Sequence, residues 1–283
     1  MPSLTLLGQS LISGVLAGGL YGIVALGLSL SWGLLRLLNL SHLALTFLAA
    51  YFTYQLCTFQ LLPLWAVALL TFPTFFVFGV AMQWFFDRFR VTEMSSLLIT
   101  FGFTVIIESL IHWYWTADHL RFQTSYSTLS IPLGPFFIPV LSAVVTALAV
   151  LLSVLTWAWL RWTFIGKALR ASAEDKELAA AFGVNYRALS YLLSGICALY
   201  AAIAGMFIAL IATLSPGEIW AWLGVTFAVV IVGRLGNPIG AMLAGILISA
   251  SEQLTMAVVN PAWSSLVAFS LLIGLLLWRP RWL

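Results

Sequence analysis

The residues of this chain best suited to chemistry are a few ionisable ones inside long apolar runs. Glu108 and Glu252 lie within such runs, and His112 follows Glu108 by one helical turn and shares its face. An acidic group at the centre of a bilayer costs about 2.5 to 3.5 kcal/mol on insertion scales, so each needs a partner or a water-filled path. We favour a buried pair that fixes helix packing for Glu108 with His112, over lining of a translocation path. Both roles stay open for Glu252.

A second polar group lies in the stretch RLLNLSH, residues 36–42. Irregular backbone at membrane depth is tolerated where it lines a cavity, and broken helices often mark transport sites. Asn39, Ser41 and His42 could therefore donate or accept hydrogen bonds to a substrate. Capping of the following apolar run near the membrane interface is the favoured interpretation.

The elements that hold these residues are transmembrane helices. The chain is 63% hydrophobic and 7% charged, whereas soluble domains are about a quarter charged. Continuous apolar runs without alternation favour helices over a β-barrel. The sequence predicts one all-α, polytopic transmembrane domain over residues 1–283, with roughly eight to ten membrane segments. The predicted spans are 11–34, 38–60, 62–86, 94–116, 137–160, 188–213, 219–233, 239–258 and 262–278. Because no charged region precedes the first span, we expect it to be retained rather than cleaved.

Basic residues set the expected orientation. If the breaks between spans alternate sides, Arg121 stands alone on one side and 11 of the 12 Lys and Arg residues fall on the other. These are Arg36, Arg88, Arg90, Arg161, Lys167, Arg170, Lys176, Arg187, Arg234, Arg279 and Arg281. The positive-inside rule then places the amino terminus outside and the carboxyl terminus in the cytoplasm. The net charge of +3 reflects this asymmetry and gives no reason to expect nucleic acid as a partner.

Two polar stretches interrupt the spans. Residues 117–135 are rich in turn formers and are predicted to be an external connecting loop. Residues 161–187, called the polar segment below, are predicted to be cytoplasmic and hold eight of the 21 charged residues. Cys57 and Cys197 lie in apolar runs without metal-ligand spacing and are read as small hydrophobic residues.

The polar segment is predicted to contain one helix from Lys167 to Phe182, ended by Gly183 in a left-handed cap. Ala171, Glu174, Leu178 and Phe182 would then lie on one face. Leu178 and Phe182 are suited to anchoring in a partner's pocket, while flanking charges fix the register. An ordinary solvated helix on the membrane surface explains the same pattern equally well.

The polar segment nevertheless resembles a known motif. GKALRASAEDKELAAAFGVN resembles the cytoplasmic coupling motif of the branched-chain amino acid ABC-transporter permease family. The matching positions are Gly166, Ala168, Arg170, Ala171, Ala173, Glu174, Asp175, Ala179, Gly183 and Asn185. Residues 18–51 resemble the family's amino-terminal signature, with Asn39 and His42 matching and Leu40, Ser41 and Leu43 departing from it. LLITFGFTVIIESL and IVGRLGNPIGAMLAGILISASEQL resemble two further family patterns.

The resemblance implies a multi-pass subunit of a bacterial or archaeal inner membrane. It would serve an ATP-driven importer of branched-chain-type amino acids or small amide-like solutes, working by alternating access. The expected partners are a second homologous permease, two cytoplasmic ATP-binding subunits, an extracytoplasmic substrate-binding protein and membrane lipid. The residues expected to contact the ATPase are Arg170, Ala173, Glu174, Asp175, Leu178, Phe182 and Gly183. ATP and Mg²⁺ would be bound by the ATPase, since this sequence has no G-x-x-x-x-G-K-[ST] loop and needs no cofactor of its own.

A different class stays open as the alternative. An ion- or proton-coupled secondary transporter would use Glu108, His112 and Glu252 to carry the coupling ion. An intramembrane enzyme is poorly supported, because neither H-E-x-x-H nor G-x-S-x-G occurs in the sequence. The similar stretches RLLN, from residue 36, and RLGN, from residue 234, hint at an internal repeat.

Overall fold

Long helices account for most of the chain. The computed structural model describes residues 3–116, 118–122, 129–259 and 263–278. The nine long helices in this part of the chain are α1 (Leu4–Leu30), α2 (Ser41–Thr58), α3 (Leu64–Arg88), α4 (Glu93–Trp115), α5 (Val140–Trp162), α8 (Tyr186–Ile211), α9 (Glu218–Gly233), α10 (Pro238–Val258) and α11 (Ser264–Trp278). Two short helices, α6 (Phe164–Glu174) and α7 (Lys176–Ala181), form the polar segment. A π-helical turn, Ser31–Leu35, extends α1.

Every predicted apolar run coincides with a helix, which confirms a polytopic helical membrane protein. Within the described residues, six helices are long and apolar enough to cross a bilayer: α1 with its π-turn, α3, α4, α5, α8 and α10. α9 is apolar but shorter. Membrane crossing by α2, α9 and α11 stays a prediction. The predicted bounds were wrong at several ends, since α1 begins at Leu4 rather than at residue 11 and α2 begins at Ser41 rather than at residue 38.

One hairpin departs from the all-helical prediction. β1 (Ser130–Leu133) pairs antiparallel with β2 (Phe136–Pro139), and α5 therefore begins at Val140 rather than at residue 137. Gly134 takes a φ of 61° in the two-residue turn, a conformation that glycine adopts without steric cost. Gln9 of α1 holds the hairpin, because its side chain donates to Phe137 O at 2.8 Å and accepts from Phe137 N at 2.9 Å. Residues 117 and 123–128 of the predicted loop, and Arg279, Arg281 and the chain end, lie outside the described residues.

Among the six membrane-length helices, α1 and α8 are the most deeply buried. In the most apolar stretch of each helix, 61% of α1 and 78% of α8 is buried. The corresponding shares are 22% for α3, 28% for α4 and 22% for α5. The last three helices are therefore peripheral and present apolar side chains outwards. Cys57 and Cys197 are buried free thiols, as their apolar surroundings predicted.

Small residues bring α1 and α10 together. Gly14, Gly18 and Gly22 lie one turn apart along α1, and a Cβ at any of them would meet atoms of α10. Gly245 approaches the backbone of Gly22 from the α10 side. Such small-residue faces let helix backbones approach closely, which is a main source of packing in a membrane, where lipid supplies no hydrophobic drive between helices.

Candidate functional site

The polar segment is two helices rather than the single helix that its sequence predicts. Asp175 separates α6 from α7 with an extended backbone, φ −147° and ψ 111°. Its Oδ1 accepts hydrogen bonds from the backbone of Glu177 at 2.9 Å and of Leu178 at 3.0 Å. Aspartate is among the strongest N-cap residues, and its carboxylate here satisfies two amides that have no partner inside α7. Local capping therefore overrides the helix propensity of the flanking alanines.

This break changes which residues share a face. Ala171 and Glu174 belong to α6, whereas Leu178 lies on α7 and Phe182 caps it, so the predicted four-residue stripe does not exist. Leu178 is 58% exposed and Phe182 82% exposed. Two large apolar side chains thus project from α7 with little cover from this chain.

The predicted left-handed cap at Gly183 is confirmed. Gly183 has a φ of 82°. Its amide donates to Ala180 O at 2.9 Å, and the amide of Val184 donates to Ala179 O at 3.1 Å. These two bonds are the Schellman pattern, which glycine favours because it has no Cβ to clash in the left-handed region. Gly183 therefore fixes the direction in which the chain leaves Phe182 for α8.

The opposite side of the segment packs on the transmembrane bundle. Ala168, Leu169, Ser172 and Ala179 are buried, while Arg170, Glu174 and Asp175 are exposed and Ala173 is half-buried. The Thr163 hydroxyl caps α6 by accepting from Gly166 N at 3.1 Å. The segment therefore has an inner face seated on other helices and an outer face that carries the proposed contact residues.

Two cavities lie where the segment meets the bundle. The first has a volume of about 570 Å³, and its lining includes Arg36, Thr92, Glu93, Ser172, Asp175 and Glu177. The second has a volume of about 470 Å³ and is lined in part by Arg161, Arg170, Gly236 and Asn237. Each cavity thus joins the polar segment to one of the two breaks that carry the RLLN and RLGN stretches.

The first of these breaks is held by hydroxyl groups of α4. After the π-turn, Arg36 takes a left-handed conformation with φ 54°, and the backbone stays irregular up to α2. The amide of Leu38 donates to Ser96 Oγ at 3.1 Å, and the amide of Leu40 donates to Thr100 Oγ1 at 3.1 Å. Sequence reasoning missed these two residues. The signal was present as a one-turn spacing of hydroxyl residues on α4, the pattern needed to satisfy broken backbone in a membrane.

The second break rests on the end of α1 and on the π-turn that leads into the first break. Gly236 lies between α9 and α10 with a φ of 73°, and its amide donates to Ser29 O at 3.0 Å and to Ser29 Oγ at 3.1 Å. Gly33, in the π-turn, contacts the backbone of Gly236 so closely that a Cβ there would collide with it. The two breaks therefore form one connected unit at the end of the bundle that carries the polar segment.

Asn39 and His42 are engaged inside the protein. Asn39 is 8% exposed and His42 is 1% exposed. Ser41 Oγ donates to Asn39 Oδ1 at 2.6 Å, and His42 Nε2 donates to Val24 O on α1 at 3.0 Å. The N-cap residue of α2 is Leu40, and no side chain caps the helix there, so the capping interpretation was wrong in detail. His42 instead ties α2 to α1, and Asn39 is bonded locally to Ser41.

Glu252 has the hydrogen-bond partner that membrane energetics required. It is 6% exposed, and the hydroxyl of Tyr21 on α1 donates to its Oε2 at 3.1 Å. Both residues line a cavity of about 180 Å³ together with Glu218 and Trp222 of α9. Nothing in the local sequence identifies Tyr21, because the pairing depends on the approach of α1 and α10.

Glu108 is bonded differently from its prediction. Trp220 Nε1 on α9 donates to Glu108 Oε2 at 2.9 Å, and Phe101 packs on the same indole with ring centres 5.5 Å apart. His112 is exposed, so the predicted buried pair of Glu108 with His112 was wrong. Glu108 is half-buried and bridges α4 to α9 instead.

The two carboxylates lie on different sides of α9. Glu108 binds Trp220, whereas Glu252 shares its cavity with Trp222, and two residues along a helix differ by about 200° in direction. The hydrogen bonds of the described residues do not join Glu108 to Glu252. Within the same residues, no group of three or more His, Cys, Asp or Glu side chains is placed to hold a metal ion.

Comparison with known proteins gives consistent matches over nearly the full length. Residues 10–276 match the family described as "Branched-chain amino acid transport system / permease component". The chain is 24% identical over 299 residues to the high-affinity branched-chain amino acid transport system permease protein LivH of Escherichia coli K12, covering 96% of this chain and 93% of that protein. It is 24% identical over 302 residues to the corresponding protein BraD of Pseudomonas aeruginosa, covering 99% and 96%. No solved structure matches the chain.

Proposed function

Because this chain belongs to the permease family of branched-chain amino acid transport systems, we propose that it is the membrane subunit through which an ATP-driven ABC importer moves an amino acid or small amide-like solute. The chain is a multi-pass membrane subunit and not itself an enzyme. Its partners are a second homologous permease, two cytoplasmic ATP-binding subunits and an extracytoplasmic substrate-binding protein. ATP and Mg²⁺ are held by the ATP-binding subunits, and this chain contributes no cofactor.

The observation that carries the proposal is the seating of the polar segment. Its outer face projects Leu178 and Phe182, and its inner face packs against the π-turn that ends α1. Since Gly236 is bonded to Ser29, a push on α6 and α7 is transmitted to both breaks. One break joins α1 to α2, and the other joins α9 to α10. The segment is therefore positioned to couple ATPase closure to movement of these four helices.

The contact residues of the polar segment have different roles. Leu178 and Phe182 anchor in the ATPase cleft, while Arg170 and Glu174, exposed on α6, fix the register. Asp175 and Gly183 position α7, the first by starting the helix and the second by directing its exit. Ala173 is half-buried on α6, and its small side chain adds little bulk to the side of that helix.

The topology follows from the basic residues. The amino terminus lies outside, and the polar segment and the carboxyl terminus lie in the cytoplasm. In this arrangement α2, α9 and α11 also cross the inner membrane. The described part of the chain then has nine transmembrane segments, within the predicted range of eight to ten. The bridge between Leu120 and Leu214, with amide-to-carbonyl distances of 3.0 and 2.7 Å, joins two loops that this topology places on the same external side.

The substrate is selected mainly outside this chain. LivH and BraD are named as branched-chain amino acid permeases, and the family description carries the same label. We assign this substrate class to the present chain and leave recognition to the separate binding protein. Asn39, His42, Glu108 and Glu252 then act on the path through helix positions. Asn39, His42 and Glu252 are buried within the bundle, and Glu108 is half-buried and bonded to Trp220.

A gradient-driven secondary transporter is the competing function. The buried carboxylate of Glu252, bonded to Tyr21, favours it, because membrane-embedded carboxylates are common in proton-coupled carriers. The separation of Glu108 and Glu252 by α9 argues against one relay that uses both.

Reconstitution separates the two functions. The chain is co-expressed with the second permease and the ATP-binding subunits of the proposed importer, and the complex is purified. It is then placed in vesicles with the binding protein and radiolabelled leucine. The importer requires uptake that depends on luminal ATP and on the binding protein. Uptake by this chain alone, driven by a pH or sodium gradient without ATP, would establish the carrier instead.

A further inference from the structure

The outward face of α4 and α9 carries groups that do not belong against lipid. This α4–α9 face comprises Phe101, Val105, Glu108 and His112 of α4 and Trp220 of α9. Phe101 is 46% and Val105 40% exposed, and His112 is exposed beside them. Intramembrane ionisable residues almost always face a bundle interior or a water-filled cavity. On this chain, Glu108 lies half-buried at this face, and His112 lies exposed near the end of α4.

The depth of Glu108 follows from helix geometry. It lies seven residues before Trp115, the end of α4, and at 1.5 Å per residue this is about 10 Å along the axis. α4 is 23 residues long, or about 35 Å, which exceeds a hydrocarbon core of about 30 Å by only a few ångströms. Glu108 therefore lies inside the hydrocarbon region, one to two turns below the exposed aromatic residues Trp113 and Tyr114.

We propose that the α4–α9 face is the surface on which the second permease subunit packs within the membrane. The inference rests on the proposed function, which supplies two permeases to one importer. The ATP-binding subunits and the substrate-binding protein stay on either side of the bilayer and do not reach this depth.

Within the described residues, no helix covers this face, since Phe101, Val105 and His112 stay exposed there. A chain that covers it at the depth of Glu108 must itself be embedded in the membrane.

The side chains of the α4–α9 face indicate which groups the covering chain must present to it. Trp220 satisfies one oxygen of Glu108 by its indole N–H, which leaves the other oxygen to accept from a hydroxyl, amide or basic side chain. His112 lies one turn nearer the outer surface, where its ring N–H can donate to a hydrogen-bond acceptor of the covering chain. Phe101, Val105 and Trp220 supply apolar contact around these polar groups, and aromatic residues are enriched in interface cores.

Two other outer faces provide the contrast. The exposed side chains of α3 include Leu69, Leu70, Val77 and Phe78, and those of α5 include Val144, Leu151, Val154 and Leu155. Neither helix carries an ionisable residue along this stretch. Both faces are suited to lipid, so they serve as controls in the same molecule.

The test is site-specific photocrosslinking in the complete importer. The photoreactive residue p-benzoylphenylalanine replaces Val105 on the α4–α9 face or Leu151 on α5. These positions lie 10 residues from the outer end of α4 and 11 from that of α5, and they are 40% and 52% exposed. Irradiation at Val105 should join this 31.0 kDa chain to a permease subunit identified by mass spectrometry, whereas Leu151 should give lipid adducts only.

Several outcomes overturn the proposal. Lipid adducts alone at Val105, a permease adduct at Leu151 instead, or capture of an ATP-binding subunit at Val105 would each do so. Ser109, also exposed on α4, replaces Val105 if that variant fails to insert. Uptake is measured in the same vesicles: normal ATP-dependent uptake without the Val105 adduct refutes the interface alone, while failure of the unmodified importer to transport refutes the proposed function.

Discussion

Truncation of the two apolar side chains on α7 is the sharpest test of how this subunit couples to its ATPase. Leu178 is 58% exposed and Phe182 82% exposed, so the double variant Leu178→Ala, Phe182→Ala removes little packing from the folded chain. We expect normal membrane insertion and an unchanged melting temperature. The loss should appear only where another protein covers these side chains.

The magnitude follows from the area that each anchor offers. A side chain of this size buries about 100 to 150 Å² on docking, which at about 25 cal/mol per Å² is worth about 2.5 to 4 kcal/mol. Immobilising the side chain costs about 0.5 to 1.5 kcal/mol of that gain. About 1 to 3 kcal/mol remains for each anchor, so one truncation should weaken ATPase binding by a factor of about 5 to 150.

The assay measures co-purification of the ATP-binding subunit and substrate-stimulated ATP hydrolysis in vesicles. Both should fall in the double variant. Glu177→Ala is the matched control, since Glu177 is exposed on the same helix and its backbone bond to Asp175 survives the substitution. If the double variant couples hydrolysis to uptake at the normal rate, the polar segment is only a surface helix pair.

Further predictions concern the cap residues, the buried acid and the orientation. Asp175→Ala should lose about 0.5 to 2 kcal/mol of local helix stability, measured by hydrogen exchange of α7, whereas Asp175→Asn should retain most of it; equal protection in both would contradict the capping argument. Gly183→Val should reduce coupling without changing expression, because a β-branched residue resists a φ of 82°, and unaltered uptake would count against it. The Glu252→Gln variant should assemble and transport. The Glu252→Leu variant should be impaired in assembly or in transport, because it leaves the Tyr21 hydroxyl unpaired. Wild-type uptake from both variants would show that the carboxylate is not needed. With Cys57 and Cys197 replaced, an impermeant thiol reagent should label a cysteine at Leu133 from outside and one at Glu177 only after permeabilisation, and the reverse pattern would invert the topology.

Local patterns were sufficient for much of the fold and for part of the site. The apolar runs predicted every long helix, because a membrane helix satisfies its own backbone and needs only a continuous apolar surface. Gly183 was predicted correctly for the same kind of reason: the left-handed cap depends on the residue itself and its immediate neighbours. The requirement that Glu252 have a partner also followed from sequence, since it reflects the cost of a carboxylate in hydrocarbon.

Tertiary structure decided which residues meet. The partners of Glu252 and Glu108, Tyr21 and Trp220, lie 231 and 112 residues away in the chain, and no periodicity links them. The joining of the two breaks through Ser29 and Gly236 likewise depends on the close approach of α1 to the α9–α10 turn. Sequence by itself determined the membrane class, the helices and the outward-facing chemistry of the polar segment, because these depend on residues close together along the chain. Three-dimensional packing decided the hydrogen-bond partners and the mechanical connection beneath that segment, because a membrane helix bundle chooses its neighbours by close contact of surfaces that are remote in sequence.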